Sequence, residues 1–277
     1  MNTPSFTPCT DASALRTAIA PWLAADPVPF AVVNSIAERL AGGADWCGVI
    51  RVDGEPRLAL VQTPPQPVII ASPGLVEVAC VACAAALLRA RSATVTGVCG
   101  PDAWAEATVA ALGVTVCNRR GLRLHRLVGV PRLPRPVAGQ LRTFRPEEDD
   151  LLWDWHQAFR REVGLGASDQ LRNPVAMAGV RGESFAWAVD GQPVSMARRR
   201  RPLLGGWTIS GVYTPPGLRS RGYAAAAVQA LSAKLVTDGA SYIVLYTDPA
   251  NPTSNRLYAR IGFVPCLDET LLTWSPS

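Results

Sequence analysis

The pattern of apolar and polar positions cuts this chain into short elements, and the order of those elements occurs twice. In the second half, QLRTFRP (140–146) predicts a short strand and EEDDLLWDWHQAFRREVG (147–164) a helix. Leu151, Trp155 and Phe159 fall at spacings of four and form one apolar face. Acidic residues crowd the start of that helix and Arg160 and Arg161 lie near its end, the charge order the helix dipole favours. A second helix is expected over about 169–180. SFAWAVD, PVSMARRR and GWTISGVYT then read as three strands, separated by turn residues Gly191 and Gly205–Gly206. A long Ala-rich helix over about 222–238 follows, then the buried strand SYIVLYTD (241–248), the helix SNRLYARI (254–261), and FVPCLDETLLTW as a final strand or pair.

The first half repeats the plan. Helices over about 11–25 and 28–42 lead into the strands WCGVIRVD, RLALVQT and VIIAS. A helix over 75–91, the strand ATVTGV, the helix DAWAEATVAAL and the strand LRLHRLVGV come next. One anchor matches in letters and a second in kind. Ser72-Pro73-Gly74-Leu75 stands where Pro215-Pro216-Gly217-Leu218 stands later, and Leu112-Gly113-Val114 mirrors Ile261-Gly262-Phe263. This is the signature of a tandem duplication, with residues 1–130 and 140–277 as the two units and the proline-rich PRLPRPVAG as linker over 131–139.

Composition narrows the class without naming a function. Of 277 residues, 48% are hydrophobic and 18% charged, enough apolar material for sizeable cores and too little charge for a disordered tail. The net charge of +5 comes from scattered Arg, and no basic stretch interleaved with aromatics points to nucleic acid. The run Arg198–Arg201 reads either as a solvated strand end at a hairpin or as a site for an anionic ligand. Seven Cys and two His give no metal-ligand pattern. Cys80 and Cys83 have C-x-x-C spacing but sit in an Ala-rich helical pattern, as small core residues would. The start MNTPSFTPCTDAS shows no secretory pattern, and the uncharged stretch Leu58–Val76 carries four prolines and reads as two strands and a loop. A soluble cytoplasmic protein is expected, monomeric or homodimeric, with no metal and no membrane or nucleic-acid partner.

The chemistry is concentrated in Val212-Tyr213-Thr214-Pro215-Pro216-Gly217-Leu218-Arg219-Ser220-Arg221-Gly222-Tyr223-Ala224. A strand ends, a tight turn follows and a helix begins near Gly222. The first backbone N–H groups of a helix have no intrahelical partner, and the dipole adds to their pull on anions. Glycine there lets a diphosphate approach the backbone, and small residues keep the entrance open. R-x-x-G-x-A (Arg219, Gly222, Ala224) resembles the acyl-CoA pyrophosphate loop of the GNAT N-acetyltransferase superfamily. Asn255-Arg256-Leu257-Tyr258-Ala259-Arg260-Ile261-Gly262-Phe263 is similar to a second segment of that superfamily, with Asn255, Tyr258, Gly262 and Phe263 matching. The resemblance covers about residues 140–277.

The resemblance implies an α/β fold of two GNAT-like domains, each a mixed, splayed central sheet flanked by helices. It implies acetyl-CoA as cosubstrate and a small-molecule or protein amine as acceptor. The strand end Val212–Tyr213–Thr214 would take the pantetheine arm through the main chain of Val212 and Thr214. The N–H groups of Arg219, Ser220, Arg221, Gly222, Tyr223 and Ala224 would hold the pyrophosphate, and Asn255 would contact the cofactor arm. Tyr258 would be the general acid that protonates the leaving thiolate. For the base, Glu162, Glu183, Asp248 or a water relay remain open. In the first half Val76 and Ala79 stand for Arg219 and Gly222, and Glu106 and Val109 for Asn255 and Tyr258. That half is therefore expected to be a degenerate, catalytically dead copy. An acyl-CoA-binding sensor without turnover is the alternative function.

Overall fold

Alternating and continuous apolar runs become strands, and twelve of them join into one sheet in the computed structural model, which describes residues 3–37, 40, 45–165, 174–200 and 204–275. The first half runs β1 (Ser5–Cys9), α1 (Ala12–Ala18), α2 (Ala20–Ala25), α3 (Ala31–Ala37), β2 (Trp46–Val52), β3 (Glu55–Gln62), β4 (Val68–Ala71), α4 (Val78–Arg89), β5 (Gly97–Pro101), α5 (Asp102–Leu112) and β6 (Asn118–Leu127). The second half repeats it as β7 (Gln140–Thr143), α6 (Asp149–Glu162), α7 (Pro174–Glu183), β8 (Ser184–Val189), β9 (Gln192–Arg200), β10 (Trp207–Tyr213), α8 (Tyr223–Thr237), β11 (Ile243–Thr247), α9 (Pro252–Ile261) and β12 (Phe263–Thr273).

Several expected elements shift, each for a local reason. The helix expected over 11–25 breaks at Ile19, because Pro21 enters the next turn and has no N–H for a continuing ladder. The strand expected as ATVTGV lies at Gly97–Pro101, since Ser92 and Thr94 donate to Arg89 and Arg91 carbonyls in turns that close α4. The segment expected as a final strand or pair is one strand, bent by a bulge between Pro265 and Leu267. β1 is the element the pattern does not predict; it is a sheet edge, mostly exposed, and its counterpart β7 forms the opposite edge. Of the helix expected over 28–42, a 3-10 turn (Val28–Phe30) and α3 are described, while residues 38, 39 and 41–44 lie outside. The helix expected over 169–180 is α7, and residues 166–173 lie outside the described residues, as does Arg201 of the arginine run.

The sheet order is β1-β2-β3-β4-β5-β12-β6-β11-β10-β9-β8-β7. The closing strand of each half therefore sits in the sheet of the other. β6 pairs antiparallel with β11, β12 pairs antiparallel with β5, and the two exchanged strands pair with each other from Phe263↔Leu127 to Thr273↔Asn118. The boundaries read at residues 130 and 140 follow the chain; the hydrogen-bonded units do not. Arg123 on β6 donates to both Asp268 carboxylate oxygens on β12 at 2.7 Å, bracing the join.

Apolar residues alternate to both faces of this sheet. One face of the first half packs α4 and α5 through Leu58, Leu60, Val98, Trp104 and, from the exchanged strand, Leu272. Its other face packs α1–α3 through Leu15, Ile19, Phe30 and Val61. In the second half α8 and α9 pack through Ile209, Leu231, Leu245, Tyr258 and Phe263, and α6 and α7 through Trp155, Met196 and Tyr213. Cys80 is fully buried in the α4 layer and Cys83 packs against it, as core residues do. Among the described residues no helix is long and apolar enough to cross a membrane.

This exchange generates a prediction. A protease site introduced in the exposed linker stretch 134–136 will cut the chain without separating the halves. Gel filtration without denaturant is expected to return one species of unchanged size; two separated fragments would mean that the β6 and β12 ladders do not hold the halves together.

Candidate functional site

The parallel strands β10 and β11 pair only at Trp207↔Ile243, Thr208↔Val244 and Ile209↔Leu245. Beyond Ile209, β10 continues to Tyr213 while its register with β9 slips between Ser210 and Tyr213, with Gly211 in the left-handed region. Gly211 and Val212 have no register partner on either neighbour. The pair of strands thus opens toward the turn that leads into α8.

That turn is a 3-10 turn, Pro216–Leu218, in which the Leu218 and Arg219 N–H groups bond to Pro215 and Pro216 carbonyls. Ser220 (φ 63°) and Gly222 (φ 84°) are both left-handed, the alternation that shapes a concavity of backbone N–H groups. The first helical bond of α8 runs from Ala226 N–H to Gly222 carbonyl, so the N–H groups of Tyr223, Ala224 and Ala225 precede the ladder and face the hollow uncommitted. A cavity of about 600 Å³ opens there, between Ser220, Gly222 and Ala225 on one side and Thr253, Arg256 and Arg260 of α9 on the other.

The side chains are distributed less simply than the motif suggests. Arg219 is turned away from the hollow. Its Nε donates to Thr214 carbonyl at 2.8 Å, its Nη2 meets Glu162 at 2.6 Å, and its guanidinium lies over the Tyr213 ring. Arg221 reaches only the Gly217 carbonyl, at 3.5 Å. Of the strand-end carbonyls, Thr214 is taken by Arg219 and Tyr213 by Ser195 Oγ at 3.0 Å, which leaves Val212 at the bulge. Asn255 is tied to its own loop: Nδ2 donates to Asp248, Pro249 and Asn251 carbonyls, and Oδ1 accepts from Thr247 Oγ1 at 2.6 Å. Thr247 in turn accepts from buried His125 Nε2 at 3.0 Å, and burial holds that imidazole's pKa down, so it stays neutral. His125 belongs to β6, so a first-half strand fixes the entry to α9.

Tyr258 lies on α9, 8% exposed and edge-on to Phe263, in the apolar layer that also takes Val212 and Tyr223. No group among the described residues hydrogen-bonds its hydroxyl. Burial raises its pKa above the usual phenol value, so it stays protonated at any working pH.

The three carboxylates named as possible bases are each engaged. Glu162 pairs with Arg219, Glu183 with Arg198 at 2.5 Å, and Asp248 caps Ala250 N–H at 2.7 Å. Arg198 and Arg199 are likewise not free: Arg199 stacks over Trp207 at 4.8 Å. The buried carboxylate that sequence reasoning missed is Glu269 on β12, 7% exposed, with its pKa pushed up to about 7 by burial and, further, by Asp102. Its signal was present: Leu267, Glu269 and Leu271 alternate, so the glutamate occupies a core-facing position.

The first half meets the same geometry with other residues. The glycines that end α5 and α9, Gly113 and Gly262, are both left-handed caps and anchor the comparison. Trp104 then falls on Thr253, Ala107 on Arg256, Val109 on Tyr258 and Ala111 on Arg260. Trp104 is 2% exposed and donates to Gly74 carbonyl at 2.9 Å, so a buried indole stands at the position equivalent to cavity-lining Thr253. The N-cap of α4 is Glu77, an acid where α8 has Gly222. β4 and β5 do not open: a Cβ on Gly100 would lie 2.4 Å from Ile70 carbonyl oxygen.

Residues 144–263, which carry the opened parallel pair, the left-handed N–H loop and the tyrosine helix, match the model of the acetyltransferase (GNAT) family. That match supports acyl transfer in general. A GCN5-related N-acetyltransferase from Sphaerobacter thermophilus is 16% identical, with 96% of this chain and 94% of that one covered at a TM-score of 0.64. A tandem GNAT protein from the clavulanic acid biosynthesis pathway is 17% identical, with 99% of each chain covered at a TM-score of 0.58. A Drosophila protein of known structure is 14% identical, with 98% and 99% covered at a TM-score of 0.61. At these identities the likeness is one of fold, and it extends over both halves. No curated protein matches the sequence. Among the described residues no group of three or more metal-ligating side chains occurs.

Glu269 yields a test. Its folded pKa of about 7 exceeds the ordinary 4.5, so the folded chain holds this proton more tightly than the unfolded one. The associated stability is fully present below pH 4.5 and is lost as pH rises to about 7. Glu269→Gln removes that loss and is expected to gain on the parent between pH 4.5 and pH 8, by up to about 3 kcal/mol. Urea melts at both pH values check it, and an unchanged difference would place the carboxyl in contact with solvent.

Proposed function

We propose that the protein transfers an acetyl group from acetyl-CoA to a primary amine, small-molecule or protein-borne, by direct attack in a ternary complex. The observation that carries this is the opened edge of β10 beside the Gly222 loop, with the unpaired hydroxyl of Tyr258 on α9, the helix that walls the cavity opposite that loop. The loop N–H groups from Ser220 to Ala225 hold the diphosphate, and the main chain of Val212 receives the pantetheine arm. Arg219 and Asn255 act as positioning residues: one clamps α6 to the turn, the other locks the start of α9.

In the reaction the amine nitrogen attacks the thioester carbonyl, the C–N bond forms, and the C–S bond breaks with its electron pair leaving on sulfur. Tyr258 donates its hydroxyl proton toward that sulfur. A phenol with a raised pKa is a weaker acid than a thiol, which has a free value near ~8.5. It therefore acts first as a hydrogen-bond donor to the developing thiolate. The proton it passes to sulfur is replaced through water by the one that the amine nitrogen sheds, so that the net change is one proton moved from nitrogen to sulfur. The ammonium proton formed on the amide nitrogen leaves through water, since Glu162, Glu183 and Asp248 are each held by a partner.

The first half contributes no cofactor site. The buried Trp104 indole stands at the position equivalent to Thr253, Glu77 sets a carboxylate against the helix N-terminus where a diphosphate would bind, and β4 stays against β5. Calorimetry is expected to return one acetyl-CoA per chain, lost in Gly222→Val; two equivalents would overturn the single-site reading. Tyr258→Phe keeps the ring and removes the hydroxyl. It is expected to bind acetyl-CoA with parent affinity and melt as the parent does, while kcat falls by about two orders of magnitude with KM little changed. Unchanged turnover under chemistry-limited conditions removes Tyr258 from the mechanism, and tight binding with no turnover toward any amine in the parent would make this a sensor of acyl-CoA.

A further inference from the structure

The cavity between α8 and α9 carries more positive charge than a diphosphate loop needs, and the charge does not come from the loop. Arg219 is held by Glu162 and Thr214, and Arg221 bends back to Gly217. The cations on the hollow are Arg256 and Arg260, one turn apart on α9, both exposed and both lining the wall that faces Gly222. Among the described residues neither makes a salt bridge or a side-chain hydrogen bond. Like charges four residues apart on a helix destabilise it by a few tenths of a kcal/mol, and α9 has no acid in its first turn to offset them. The first half shows that the helix packs without them. Its counterparts are Ala107 and Ala111, on a helix of the same length class against the same sheet face, with buried Trp104 at the position of Thr253.

We propose that Arg256 and Arg260 form a second phosphate subsite, one that takes the phosphate monoester on the 3′-hydroxyl of the CoA ribose. This rests on the acetyl-CoA reading above. The ribose is bonded directly to the diphosphate that the Gly222 loop holds, so its 3′ substituent lies within one sugar of the loop, and the α9 wall stands across the cavity from it. A monoester is a dianion near neutral pH, and two guanidinium forks on one helix face can each give it paired N–H donors. The loop thus reads the diphosphate through backbone, and α9 reads the terminal phosphate through side chains.

The test compares acetyl-CoA with acetyl-3′-dephospho-CoA by calorimetry, in the parent and in Arg256→Gln/Arg260→Gln. The parent is expected to favour acetyl-CoA by about 10- to 100-fold, the scale of one or two hydrogen bonds to a charged group. The double variant is expected to lose that preference while keeping its affinity for the dephospho ligand, and Arg256→Lys/Arg260→Lys to recover part of it. Both side chains are exposed, so melting temperatures should agree and folding is not at issue. A parent that binds both ligands equally, or a double variant that weakens both to the same extent, overturns the subsite and leaves the acetyl-CoA reading standing. A parent that binds neither overturns both.

Discussion

The pairing of β6 with β12 is the constraint on which the rest of this molecule depends. Each strand lies between its exchanged partner and a strand of the opposite half, so the two halves share one uninterrupted ladder rather than an interface of side chains. Backbone groups in the middle of a sheet have no alternative partner when buried, and leaving them unpaired is costly. Neither half can therefore complete its own sheet by local folding alone. The seam also carries the buried Glu269 and the Arg123–Asp268 brace, both of which exist only because the two strands lie side by side.

The same exchange reaches the chemistry. His125 stands on β6, and its bond to Thr247 sets the hydroxyl that Asn255 accepts from. Asn255 then uses its amide to gather three carbonyls of the loop before α9. The helix bearing Tyr258 is thus aimed by a side chain from the other half. Removing the first half would remove β6, the strand that separates β11 from β12.

Much of the fold was legible from periodicity, because most strands here are buried on at least one face and most helices carry an apolar stripe. The duplication was legible because turn chemistry repeats: the Pro-Gly-Leu entry to the long helix, and a glycine that must be left-handed at the end of α5 and of α9. β1 was not, since an exposed edge strand of five residues containing a proline has no apolar alternation to read. The exchange was not either. Pattern reveals that β6 and β12 are strands, but which neighbour each takes is decided by sheet closure over the intervening chain, residues 128–262. At the site, Gly222 and Tyr258 were readable as residue types in a spacing. The partners of Arg219 were not, because Glu162 comes from an element far away in sequence and a motif says nothing about side-chain direction.

The two halves act as an internal control for what the second one does. They share the order of their strands and of their later helices, and the glycine caps of α5 and α9, so the positions around the cavity can be compared one by one. At the equivalent of the cavity Trp104 stands for Thr253 and adds volume, and Ala107 and Ala111 stand for Arg256 and Arg260. The long helix is capped by Glu77, which faces Arg57, two residues before the Ala79 that the letters align with Gly222. A packing requirement would account for the tryptophan, since it fills space and bonds to Gly74. Packing also bears on the alanines, since Ala107 and Ala111 are half-buried against the α4–α5 core, whereas Arg256 and Arg260 are exposed. Volume and charge thus differ together at the hollow between α8 and α9, the difference that the phosphate subsite proposed above requires.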